Sequence, residues 1–363
     1  MDRCSTVDCA RTTAITPGDS SDDSSNDWGV DKVAGSDLVL ALYGMICTVG
    51  VAGNLLVCIV LLRVPSLRSN TSDFLVHLSL VDLVVCVLVI PHKILPLLSQ
   101  TPPPNPTIWG QLWCRLYVNQ YPFWVCAVTS VDNLVLVNLE RFVAIVYPHK
   151  YKRIFASRNK YLMLGLCWIL AMLTKSFIVF LSEEDPVSGC RFGWPSRGVQ
   201  AAIGVLNFII NLFAPFVLMI LVQWKVISTL KKQVKTLTDR NAISEMNPAD
   251  RRKMWQLKAT QILVRTLLAF AVTFAVCWAP NQLMFLVYNL GVPLSLATPI
   301  YHVGVILAVC NSCVNPIIYT MTNQQFRKGI KMAFRRGKRS ARVGGDTLAT
   351  SGMATMSTRF DAK

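Results

Sequence analysis

The stretch from Leu38 to Leu62 contains no Asp, Glu, Lys or Arg. At 1.5 Å of rise per helical residue, such a run crosses a hydrocarbon core that needs about 20 residues. Val199 to Trp224 is equally free of charge. So is the whole of Thr266 to Gln325, where Asn289-Leu290-Gly291-Val292-Pro293 divides the run into two spans. Three further apolar stretches carry isolated charges: Phe74 to Leu98 holds Asp82 and Lys93, Leu116 to Leu139 holds Asp132, and Tyr161 to Leu181 holds Lys175. The expected total is seven spans. Lipid tolerates only helices and closed barrels, and the alternating strands of about 10 residues that a barrel needs are not seen. The fold class expected is an all-α membrane protein, a seven-transmembrane helix bundle.

Composition supports this, with 53% apolar and only 15% charged residues, against roughly 25% charged in soluble domains. A net charge of +16 would fit a nucleic-acid partner if the basic residues formed one face. Instead about 28 of the 36 Lys and Arg follow the first, third, fifth and seventh spans, the distribution of the positive-inside rule. No nucleic acid is expected. The N-terminus is expected outside the plasma membrane and the C-terminus in the cytoplasm. Met1 to Thr13 has no apolar segment of the kind that begins a cleavable signal, so the first span is expected to direct insertion.

Four regions follow. Residues 1–36 read as a disordered acidic extracellular tail and 37–321 as the bundle. Residues 322–336 read as a short amphipathic eighth helix on the membrane surface, because Phe326, Ile330 and Phe334 recur four apart among Arg327, Lys328, Lys331 and Arg335. Its basic face suits anionic membrane lipid. Residues 337–363 read as a disordered cytoplasmic tail with a run of Ser and Thr open to kinases and arrestin. On the fifth helix, Val226, Leu230 and Val234 continue an apolar stripe past the membrane and suggest a docking wall.

Most of the 12 cysteines lie inside the spans; Cys4, Cys9, Cys114 and Cys190 do not. On an oxidising outer face Cys114 and Cys190 can form a bridge tying the loop after the fourth span across the bundle mouth, the alternative being free thiols. Cys4 and Cys9 can pair or stay free. Asp82 costs roughly 2.5–3.5 kcal/mol at mid-membrane and calls for a partner, a wet cavity or a function. Ser130, Asn311 and Asn315 lie at comparable depth and can complete an oxygen-rich pocket for a small hard cation, or simply bond a neighbouring helix. Pro280 and Pro316 interrupt the backbone bonding of the sixth and seventh helices and make candidate hinges.

Gly53-Asn54-Leu55-Leu56-Val57, Leu78-Ser79-Leu80-Val81-Asp82, Glu140-Arg141-Phe142, Trp168, Pro215, Phe274 with Cys277-Trp278-Ala279-Pro280, and Asn315-Pro316-Ile317-Ile318-Tyr319 followed by Phe326 stand in order, one set per helix. Together they resemble the rhodopsin-like (class A) G-protein-coupled receptors. The resemblance implies a receptor that passes binding of an outer ligand to a heterotrimeric G protein, without catalysing a reaction. It implies that Glu140 restrains Arg141, that Phe274, Trp278, Pro280, Pro316 and Tyr319 take part in the switch, and that Asp82, Ser130, Asn311 and Asn315 form an allosteric sodium pocket. Gln223 stands where the family usually has Tyr, and Thr260 near where some members carry an acid, so Arg141 is not expected to pair with the sixth helix. The segment from Cys114 to Arg141 is about two residues longer than the family's and contains Pro122, which shifts pocket positions on the third helix. Asp132 matches no family role; a polar partner on a neighbouring helix is expected for it.

By the same resemblance, the absence of Lys between Leu294 and Gln325 excludes a retinal Schiff base, and the absence of an acid between Leu116 and Val131 argues against an amine ligand. The expected ligand pocket comprises Lys93, Gln120, Phe123, Trp124, Lys175, Asn281, Gln282, Phe285, Tyr288, Tyr301 and His302. A mixed amide and aromatic mouth suits a peptide, and a neuropeptide is the first expectation. A small organic or lipid acid is the second, because Lys93 and Lys175 favour a carboxylate whereas Glu183-Glu184-Asp185 favour a basic peptide. A transporter is the remote alternative; duplicated halves are not seen. No His-rich metal cluster or Ser-His-Asp set suggests an enzyme.

Overall fold

The computed structural model describes residues 37–95, 108–185, 189–241, 247–292 and 299–340. The acidic tail with Cys4 and Cys9, and the hydroxyl-rich tail, lie outside these. Seven helices are long and apolar enough to cross a membrane: α1 (Asp37–Arg63), α2 (Asn70–Ile94), α3 (Ile108–Val146), α4 (Ser157–Leu181), α5 (Arg197–Asp239) and α6 (Pro248–Asn289), with α7 at Pro299–Thr322. An eighth helix, α8, covers Gln324–Ser340 and so begins two residues later and runs further than the sequence pattern suggests. A short helix at Pro148–Ile154 sits in the α3–α4 loop. Side-chain oxygens set several starts: Ser69 caps α2, Ser196 caps α5, and Asn247 Oδ1 accepts from the Asp250 amide at 2.7 Å on α6.

The helices form one bundle with α3 at its centre. Two thirds (67%) of its most apolar window is buried against protein, compared with 22% for α4, whose remaining face is left for lipid. A continuous core runs from Val39 and Tyr43 through Phe74, Leu134 and Phe274 to Phe326. Polar side chains tie the rods where lipid offers no competing partners. Asn54 Nδ2 donates to the Ser312 carbonyl at 2.9 Å, Asn133 Nδ2 to the Phe74 carbonyl at 2.9 Å, and the Trp168 indole to His77 Nε2 at 3.1 Å. A Cβ on Gly53 would come within 2.9 Å of Pro316, so glycine there permits the close approach of α1 and α7.

The extra length in α3 is absorbed locally. Cys114–Val118 forms a wide π turn, and Gln120 takes the left-handed conformation (φ 58°) before the helix restarts at Tyr121-Pro122. Similar π turns occupy Ile90–Ile94, around Pro91, and Ile209–Phe213, before Pro215. Each re-aims the side chains beyond it by a fraction of a turn. At the other end, Val226 and Leu230 pack with Leu257 and Val264, and Val234 lies against that cluster. The α5 stripe expected as a docking wall forms, in this packing, the seam with α6.

Candidate functional site

At one end of the bundle a β-hairpin, β1 (Ser182–Asp185) and β2 (Gly189–Phe192), pairs antiparallel with Glu184 opposite Cys190. The Cys114–Cys190 disulfide fixes it to the start of α3, and Asn119 Nδ2 donates to Ser182 Oγ at 2.8 Å. Beneath the hairpin lies a cavity of about 180 Å³. Of the expected ligand residues it is lined by Gln120, Trp124, Lys175, Asn281, Gln282, Phe285 and Tyr288. It is also lined by Asn119, Phe177, Phe192, Trp194 and Asn207, which sequence reasoning missed. Phe177 lies 6.0 Å from Phe285 and 6.4 Å from Phe192, and Phe192 5.7 Å from Trp194, so the roof is aromatic and joined to α4 and α6.

Lys93, Phe123 and His302 do not line the cavity, contrary to expectation. The left-handed turn at Gln120 rotates the start of the main α3 helix so that Trp124 faces the cavity while Phe123, only 2% exposed, packs toward α2. There the Lys93 ammonium lies 5.7 Å from the Phe123 ring and 6.0 Å from that of Trp124, behind the cavity wall. The side chain of Tyr301 lies outside the described residues. Within the wall, Lys175 Nζ donates to Asn207 Oδ1 at 2.6 Å, and Asn207 Nδ2 donates to Gln282 Oε1 at 2.7 Å.

Deeper in the bundle Asp82 is fully buried and accepts from Ser130 Oγ at 2.6 Å and Asn315 Nδ2 at 2.8 Å. Ser312, also buried on α7, accepts from Asn54 Nδ2 through its carbonyl. Asn311 is buried, but its Oδ1 has no hydrogen-bond partner among the described residues. One carboxylate among neutral hard oxygens, with a buried acceptor left over, fits a small monovalent cation better than a transition metal. Just above, Phe274 and Trp278 are buried with ring centres 6.1 Å apart; the Trp278 indole N–H lacks a partner among the described residues. Pro280 and Pro316 lie inside α6 and α7.

At the basic end Glu140 is wholly buried. Arg141 Nε lies 3.0 Å from Glu140 Oε2, close enough for an ion pair though not aligned for a hydrogen bond. Glu140 also accepts from Thr71 Oγ1 at 2.9 Å and from the Tyr151 hydroxyl at 2.5 Å. Burial, and then the bond to Glu140, push the Tyr151 phenol up to about 12. Thr71 and Tyr151 are far apart in sequence from each other and gave no separate signal. Among the described residues Arg141 has no carboxylate partner on α6; Thr260 bonds its own helix at the Gln256 carbonyl. Gln223, at the position usual for Tyr, donates to Asn138 Oδ1 and ties α5 to α3. Tyr319 packs edge-on against Phe326 of α8, centroids 4.7 Å apart.

Asp132 behaves otherwise than expected. Its Oδ2 is buried without a hydrogen-bond partner among the described residues, and its neighbour on α4, Lys175, is within electrostatic range but beyond ion-pair contact.

Comparison with known proteins gives a consistent result. The profile described as 7 transmembrane receptor (rhodopsin family) matches residues 53–319. Galanin receptor type 1 of Mus musculus is 28% identical over 307 residues, covering 82% of each chain. The allatostatin-A receptor of Bombyx mori is 28% identical over 323 residues, 85% of this chain and 81% of that one. The tachykinin-like peptides receptor 99D of Drosophila melanogaster is 26% identical over 310 residues, 81% of this chain and 56% of its own length.

Proposed function

This chain belongs to the rhodopsin family of seven-transmembrane receptors, and we propose that within it the chain is a receptor for a peptide, coupled to a heterotrimeric G protein. The observation that carries the reading is the cavity under the disulfide-anchored hairpin. Its amides (Asn119, Gln120, Asn207, Asn281 and Gln282) match a peptide backbone and its aromatic roof matches side chains. Similarity to galanin, allatostatin-A and tachykinin-like peptide receptors supports the same ligand class. In this reading the hairpin end faces outward and the basic end lies in the cytoplasm.

The mechanism is a population shift between two packings of one bundle. In the resting state Glu140, held by Thr71 and Tyr151, keeps the Arg141 guanidinium at the end of α3. Ligand contact with Asn281, Gln282 and Phe285 would bear on α6 close to Trp278 and Pro280, whose missing backbone bond makes that helix the easiest to bend. Outward movement of α6 would open the seam at Val226, Leu230 and Leu257 and admit the G protein beside Arg141. Asp82, Ser130, Asn311 and Asn315 would hold a sodium ion, which supplies positive charge to a buried carboxylate and so favours the compact state. Kinases and arrestin would act on the Ser/Thr-rich tail.

The test is nucleotide exchange on purified G protein by the receptor in lipid nanodiscs, with pools of galanin-like, allatostatin-like and tachykinin-like peptides. Exchange evoked by a peptide is expected. Exchange evoked by small organic acids and by no peptide would overturn the reading.

A further inference from the structure

We propose that Lys175 is the anion anchor of the cavity: its ammonium takes a carboxylate of the bound molecule, and Asp132 is the counter-charge that balances it when no carboxylate is bound. The proposal deepens the receptor reading and rests on it for the identity of the cavity as the ligand site. Among the described lining residues, Lys175 is the one Asp, Glu, Lys or Arg side chain.

The hydrogen-bond chain next to it has a fixed polarity. An ammonium can only donate, so Asn207 must turn its carbonyl toward Lys175, where the distance is 2.6 Å. The Asn207 amide nitrogen is then left to donate to Gln282 Oε1 at 2.7 Å. Gln282 in turn keeps its own NH2 as the terminus of the chain. Both ends, Lys175 Nζ and Gln282 Nε2, therefore present N–H groups, and a pair of oxygen acceptors is the chemistry that completes them.

The electrostatics point the same way. Lys175 is 4% exposed, and no carboxylate among the described residues lies within ion-pair distance of it. Asp132 is near enough to feel its field yet has an unpartnered Oδ2. Lys175 is thus buried without a carboxylate in contact, while Asp132, half-buried on α3, keeps one buried oxygen without a partner among the described residues, an arrangement that leaves the ammonium able to pair closely with a third group. On the hairpin, Glu183 lies 3.8 Å from Arg191. Behind the wall, Lys93 adds a second positive charge 6.0 Å from the Trp124 ring. The carboxylate can belong to a peptide, as a chain terminus or an acidic side chain, or to a free organic acid; the site chemistry is shared.

Three probes test this on the full chain in nanodiscs, with affinities read by ligand-observed NMR: N-acetylphenylalanine, its primary amide, and 3-phenylpropionate. The acid is expected to bind about tenfold more tightly than the amide, equivalent to about 1.4 kcal/mol, and Lys175→Gln, which keeps an N–H for Asn207, to bring the two within about twofold. Asp132→Asn leaves Lys175 in place, so it remains informative if the Lys175 variant fails to fold; it should widen the preference for the acid severalfold. Equal affinity of acid and amide in the unaltered chain, including no binding of either, overturns the proposal, as does a preference that survives Lys175→Gln or is unmoved by Asp132→Asn. Given the acid preference, 3-phenylpropionate matching N-acetylphenylalanine supports anchoring by a free acid, and weaker binding supports anchoring by a peptide carboxylate. Peptide-evoked nucleotide exchange reports on the receptor reading independently of all these results.

Discussion

Asp82 and Asp132 are both aspartates within membrane-spanning helices, one on α2 and one on α3, and their surroundings differ sharply. Asp82 is fully buried and receives hydroxyl and amide donors from α3 and α7. Asp132 has a buried oxygen with no donor among the described residues, and Lys175 acts on it through space, beyond ion-pair contact. An identical side chain therefore carries opposite costs. Asp82 is solvated by the protein, so its removal strands its partners; Asp132 is compensated only through space, so its role depends on a charge that can be drawn elsewhere. Glu140 is a third case, satisfied by Thr71 and Tyr151 while also facing Arg141.

Asp82→Ala should be the most damaging change. It orphans Ser130 and Asn315 at roughly 1–3 kcal/mol each, for a loss of about 2–6 kcal/mol measured by thermal unfolding in nanodiscs; a melting temperature equal to the parent's would erase the distinction between the two aspartates. Cys114→Ala frees the hairpin and is expected to cost about 2–4 kcal/mol, seen as reduced surface expression and loss of peptide binding. Full binding without the bridge would show that the aromatic roof holds unaided.

Finer tests concern charge alone. Asp82→Asn keeps the shape but should abolish any sodium dependence of agonist affinity, whereas Asp132→Asn should leave that dependence intact; sodium sensitivity persisting in the first variant would remove the cation site from Asp82. A double-mutant cycle of Asp132→Asn and Lys175→Gln should give a coupling of about 1–3 kcal/mol in stability, and additivity would mean that the two charges do not balance each other.

The smallest effect is expected at Glu140. Tyr151→Phe removes one bond to it, worth about 0.5–1.5 kcal/mol, and should raise basal nucleotide exchange a fewfold; unchanged basal exchange would exclude Tyr151 from the restraint. The phenol's folded-state value is raised to about 12 from an ordinary 10. The protonated donor is thus favoured by folding. Its contribution is complete below pH 10 and is lost as pH rises toward 12, so the difference between Tyr151→Phe and the parent should be flat across neutral pH.

Much of the site could be read along the chain because single residues announced themselves. Asp82, Arg141, Trp278 and Pro280 stand out as a charge, a bulky ring or a helix breaker in an apolar run. Lys93 and Phe123 lie off the cavity lining, because the facing of Phe123 depends on a phase set by the π turn at Cys114–Val118 and the left-handed Gln120, and that of Lys93 on the π turn at Ile90–Ile94. Asn207 and Thr71 carry ordinary polar side chains that have no meaning until a partner on another helix is known.

The sequence by itself determined that this chain spans lipid seven times, because the cost of unpaired backbone and of charge in hydrocarbon acts residue by residue and needs no knowledge of neighbours. Only the tertiary structure decided which face of each rod meets which other. Rotation of a helix about its axis is fixed by close packing and by a few polar ties between segments that are distant in sequence. That rotation put Lys175, Asn207 and Gln282 in one chain of bonds and left Asp132 outside it.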